Sequence, residues 1–153
     1  MYVFLLWLHS VTRWLVVMGG LAAIVVAIWG LSSKRQWSGV DRGVGVFFTS
    51  IFGLQVVVGL ILYFIGPWGI RAFGLIGSES DARVQAIFFS LYHIVMMLIA
   101  LVVAQLGYSR GKRAETPTKA FRTALIGYGV GFLLVFLAIP WGIRPNWPIV
   151  SPF

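Results

Sequence analysis

The chain has 153 residues, of which 59% are hydrophobic and only 10% charged, and its mean hydropathy is +0.93. A water-soluble domain of this size carries about a quarter of its residues as charges, so this composition excludes an ordinary soluble globule and indicates an integral membrane protein. The net charge of +8 does not indicate nucleic-acid binding. The basic residues sit at the ends of apolar runs, and no mixed aromatic and basic surface motif accompanies them.

Four apolar runs follow in order, at about 2–31, 44–65, 84–108 and 120–139. Each meets or exceeds the roughly 20 residues that cross about 30 Å of hydrocarbon, and only helices satisfy every backbone group in such a run. The expected fold is all-α: one transmembrane domain over 1–153, built as a four-helix up-and-down bundle. The first run lacks a basic leader and is too long for a signal peptide's apolar core, so it is expected to be retained. There is no cysteine, which removes disulfides, thiolate metal sites and iron–sulfur clusters.

The connections set the orientation. The first carries Lys34, Arg35 and Arg42 against Asp41, and the third carries Arg110, Lys112, Arg113 and Lys119 against Glu115. The second balances Arg71 and Arg83 with Glu79 and Asp81. Basic excess stays in the cytoplasm, so both termini and the second connection are expected outside, in a multi-pass protein of the cell's inner membrane. Trp29 and Trp37 then mark the inner interface, and Trp7, Trp14, Trp68, Trp141 and Trp147 the outer one.

Pro67-Trp68-Gly69-Ile70-Arg71 follows run 2, and Pro140-Trp141-Gly142-Ile143-Arg144 follows run 4. Helix-stopping proline and glycine, an interfacial tryptophan and a snorkelling arginine explain the residue types by convergence. The identical order favours duplication of a two-helix hairpin, with helix 1 matching helix 3 about a pseudo-twofold along the membrane normal.

The chain has two histidines, His9 in run 1 and His93 in run 3. Both fall in the outer half of the membrane. A pseudo-twofold would turn both imidazoles toward one axis, forming a bis-histidine site in the bundle. Such a pair suits one b-type haem, whereas zinc or copper wants further ligands that nothing nearby supplies. Arg13, one turn from His9, could pair with a propionate or with lipid phosphate, and Ser90, three residues before His93, offers a hydroxyl to a propionate or water. A helix carbonyl could accept from the second ring nitrogen. The glycines, Gly127 with Gly131 among them, read as close helix packing, and Met96 and Met97 as core filler. Gln55 reads as an interhelical hydrogen bonder, with a quinone contact as the alternative.

The segments Leu8-His9-Ser10-Val11-Thr12-Arg13-Trp14 and Tyr92-His93-Ile94-Val95-Met96 resemble the histidine-bearing helices of small four-helix b-type membrane cytochromes, the cytochrome b561-like and CopD-like proteins. The resemblance implies His9 and His93 as axial ligands, and electron transfer between a quinone pool and an outer-face partner. Members with two haems need four histidines, so one haem at most is implied here. The expected function is a haem b electron-transfer subunit of a respiratory or photosynthetic complex. The alternative is a haem-free accessory subunit that stabilises such a complex. A transporter or channel lacks the necessary row of polar residues, and hydrolytic catalysis lacks a nucleophile–histidine–acid set.

Overall fold

The computed structural model describes residues 1–78 and 82–141. Their long elements are helices α1 (Tyr2–Ser32), α2 (Gly39–Ile65), α3 (Ala82–Ile87), α4 (His93–Gly111) and α5 (Pro117–Ala138). A 3-10 turn, Ile70–Leu75, follows α2, and a π-helical turn, Phe88–Tyr92, joins α3 to α4. With that turn, α3 and α4 form one rod over Ala82–Gly111, so four helices are long and apolar enough to cross a membrane. The side chains they turn outward are large and apolar, among them Phe4, Met18, Val25, Phe64, Val102 and Leu133, as contact with lipid requires.

Two helices begin earlier than the hydropathy predicts, because polar caps lie outside the apolar runs. At the start of α2, the Asp41 carboxylate accepts from the Ser38 backbone N–H at 2.7 Å and from its hydroxyl at 2.8 Å. Arg35 grips the same carboxylate with two nitrogens, at 2.7 and 2.5 Å. This is a capping arrangement of the Ser-x-x-acid kind, closed by a bidentate ion pair. Lys34 takes a left-handed conformation (φ 51°) in the turn before it. Helix α5 opens on Thr116, whose hydroxyl oxygen accepts from the Lys119 N–H, and on Pro117 in the first turn, where a missing amide costs nothing.

The main helix contacts run α1 to α2, α2 to α4, α4 to α5 and α5 back to α1. Within the pairs α1–α2 and α4–α5 the contacts run antiparallel: Tyr2 lies by Gly66 while Gly19 lies by Phe47, and Gly111 lies by Ala120 while Gly131 lies by Ala100. The α4–α5 seam is built from small residues. A Cβ on Gly107 would stand 2.6 Å from the Gly127 Cα, and one on Gly131 would stand 3.1 Å from the Ala104 Cβ. Lipid supplies little force for joining apolar helices, so close backbone approach and dispersion hold them. On the other side of the bundle, Gly20 and Gly30 of α1 admit the rings of Phe132 and Phe121. Phe48, Phe52 and Tyr128 fill the middle as a run of ring contacts at 5.7–6.0 Å.

The first copy of the pentapeptide repeat ends α2 and enters the 3-10 turn. Of the second copy, Pro140 and Trp141 follow α5, while Gly142, Ile143 and Arg144 lie outside the described residues, as does Trp147 of the expected outer belt.

Candidate functional site

His9 belongs to the first third of α1, and His93 opens α4. These helices occupy opposite corners of the bundle. The two imidazoles meet across the middle, with ring centroids 6.3 Å apart and planes inclined by 68°. They line a largely apolar cavity with Ser10, Arg13, Phe52, Val56, Gln55, Gly59, Trp68, Phe89, Met97 and Pro140 among its walls.

Each histidine is held differently. The His93 Nδ1 lies 2.8 Å from the Ala138 carbonyl oxygen at the end of α5. A carbonyl only accepts, so Nδ1 carries the hydrogen and Nε2 presents a lone pair. Phe88 and Phe89 pack their rings 5.8 and 6.1 Å from the imidazole centroid. The π-turn that sets this placement is marked by the His93 N–H bonding back to the Phe88 carbonyl, one residue further than in an α-helix. Such turns recur at functional sites.

His9 is fixed through its backbone. The Gln55 side-chain amide donates to the His9 carbonyl at 2.7 Å. The Gln55 amide oxygen accepts from Thr12, whose hydroxyl also lies 2.7 Å from the Leu8 carbonyl. One buried glutamine of α2 thus ties two turns of α1 together around His9, the interhelical role its position suggested. The imidazole itself rests on Gly59: a Cβ there would stand 3.0 Å from the ring's Cε1. The His9 Nδ1 is buried and makes no hydrogen bond to the described residues.

The other predicted site residues divide. Arg13 is buried, lines the cavity, and sets its guanidinium 5.1 Å from the Trp14 ring centroid. Ser90 is brought elsewhere. It is buried and donates to the Gly69 carbonyl at 2.8 Å, outside the cavity lining. Met97 reaches the cavity wall while Met96 does not. Ser10 joins the lining beside Arg13. Gly59 is one of the glycines that the sequence marks only for close helix packing, and its contact with His9 depends on the register of α1 on α2.

The donor set decides what the site could hold. Among the described residues no three histidine, cysteine or carboxylate side chains gather as a metal cluster. Two imidazoles alone suit a metal that brings its own equatorial ligands. Two rings sharing one metal at about 2.0 Å per metal–nitrogen bond stand roughly 6 Å apart at their centroids, and these stand 6.3 Å apart. His9 and His93 are the two residues that would hold such a group, were one bound.

Compared with models of known families, with curated proteins and with solved structures, the chain matches none.

Proposed function

We propose that this chain is a membrane-embedded electron-transfer subunit that holds one b-type haem between His9 and His93, near the outer face, within a respiratory or photosynthetic complex. The facing of the two imidazoles across the bundle at 6.3 Å carries the reading. A haem so held supplies one-electron redox chemistry. The chain's residues do the rest. His93 offers Nε2 because Ala138 occupies its Nδ1. Gln55 and Thr12 hold the turn of α1 that carries His9. Arg13 brings a positive charge to the cavity wall, suited to a carboxylate. Phe52, Val56 and Met97 give the cavity an apolar wall.

In the same reading the helices form an up-and-down bundle in the inner membrane, with the Lys34–Arg35 and Arg110–Arg113 ends in the cytoplasm and both termini outside. A larger membrane complex is the partner, and a quinone is the candidate small-molecule partner. The haem-free accessory subunit is the second reading, favoured by the hydrogen bonds that Gln55, Ser90 and His93 already make within the bundle.

A reduced-minus-oxidised spectrum of the purified chain tests both. A b-type alpha band is expected, and it should be lost or shifted in His9→Ala and in His93→Ala. No band in the native chain sinks the haem reading and leaves the accessory one.

A further inference from the structure

The Pro-Trp-Gly repeat stops two helices, α2 and α5. The hydrogen bonds around it give it more to do. At the end of α5, three successive carbonyls are taken by side chains. Phe136 accepts from the Trp141 indole N–H at 2.9 Å, Leu137 from the Tyr92 hydroxyl at 3.4 Å, and Ala138 from the His93 Nδ1 at 2.8 Å. Pro140 has no amide hydrogen, so the Phe136 carbonyl, four residues before it, loses its helical donor. The helix stops at Ala138, and the last carbonyls of a helix must find other partners.

The first copy serves the same segment from the other side. After α2 stops, the carbonyls of Trp68 and Gly69 meet the Ser90 hydroxyl at 3.4 and 2.8 Å. The Tyr63 hydroxyl, from the last turn of α2, donates to the Ser90 carbonyl at 3.2 Å. Ser90 and Tyr92 lie in the π-turn, and His93 follows it. The first copy, and the helix end that the second copy stops, therefore both close on residues 90–93 of the third rod.

We infer that the two proline-stopped helix ends position His93, the first by gripping Ser90 and the second by gripping the imidazole, so that the ring is locked in one orientation with its hydrogen on Nδ1. Ser90 is a positioning residue that acts through the π-turn, not a ligand to anything in the cavity. A π-turn in an apolar helix has no local reason to persist. The bond from the buried Ser90 hydroxyl to the Gly69 carbonyl supplies that reason, because it ties the turn to the segment that follows α2. The lock concerns the chain alone; its consequence for a bound haem rests on the proposed function.

The test uses the full chain with nitrogen-15 histidine, in its reduced or haem-free state. There are only two histidines, so His9→Ala assigns their signals. The native His93 is expected as a single species protonated on Nδ1. Ser90→Ala should bring in a second ring species or the other tautomer, and Ser90→Thr should restore the native signal. Tyr63→Phe, which removes one hydroxyl, should move the same signal to a lesser degree. With haem bound, Ser90→Ala should shift the midpoint potential at unchanged haem content. A native His93 protonated on Nε2 overturns the inference. So does a His93 signal that neither Ser90→Ala nor Tyr63→Phe moves. If the native chain binds no haem while the imidazole signals behave as expected, the lock stands and the haem reading falls.

Discussion

Gly59→Ala places a methyl group 3.0 Å from the His9 Cε1 and 3.6 Å from its Nδ1. Carbon atoms rest at about 3.5–4.0 Å, so the imidazole must retreat by roughly half an ångström or the helices must part. Overfilling a packed site costs about 1–3 kcal/mol. Replacing glycine by alanine inside a helix returns about 0.5–1 kcal/mol. The variant should therefore lose about 0–2.5 kcal/mol. Gly53→Ala is the control, since it lies on the same helix and a Cβ there meets nothing within 4 Å. It keeps the helical gain and has no clash, so the two variants should differ by about 1–3 kcal/mol. Unfolding in one detergent, followed by circular dichroism, measures that difference. The His9 imidazole signal, or the haem band where present, should move in Gly59→Ala only. If both variants unfold alike and leave His9 alike, the contact between Gly59 and the ring is not what the geometry says it is.

Other sites offer independent checks. Gly107→Ala drives a methyl to within 2.6 Å of the Gly127 backbone, which cannot swing aside as a side chain can. It should destabilise by at least about 1–3 kcal/mol, whereas Gly129→Ala, with open space at its Cβ, should not; thermal unfolding compares them. Gln55→Leu strips the His9 carbonyl and Thr12 of a partner and should cost about 1–3 kcal/mol, with a change in the His9 signal that a mere packing defect at Gly107 does not produce. Asp41→Ala removes both the α2 cap and the Arg35 clamp and should cost about 0.5–2 kcal/mol, read as a lower midpoint of unfolding. Lys112, at the end of α4, should react with an impermeant amine reagent only from the cytoplasmic side; labelling from outside inverts the proposed orientation.

The four membrane-crossing helices were legible because hydropathy alone marks them, and their lengths left no other backbone solution. The meeting of His9 with His93 was legible for a different reason: the chain has only two histidines, in matching parts of two apolar runs. The early starts of α2 and α5 were not read, because Ser38, Asp41 and Thr116 cap from outside the apolar runs. The π-turn was invisible. An extra residue in a helix leaves no mark in a run such as Ile87-Phe88-Phe89-Ser90-Leu91-Tyr92, where every position is compatible with an ordinary turn. That same shift misdirected Ser90, which simple helical spacing puts on the face of His93. In the fold it turns to the Gly69 carbonyl. Gln55 could be read as a bonding residue, since a buried amide in a membrane helix needs partners; that its partner would be the backbone of His9 needed the register of α1 on α2.

The two halves of the chain each close on themselves, α1 on α2 and α4 on α5, and each contributes one imidazole. Neither half alone contains the pair. The cavity exists only after the second hairpin has docked on the first, so its formation reports assembly: a chain whose halves have inserted but not joined has every helix and no site.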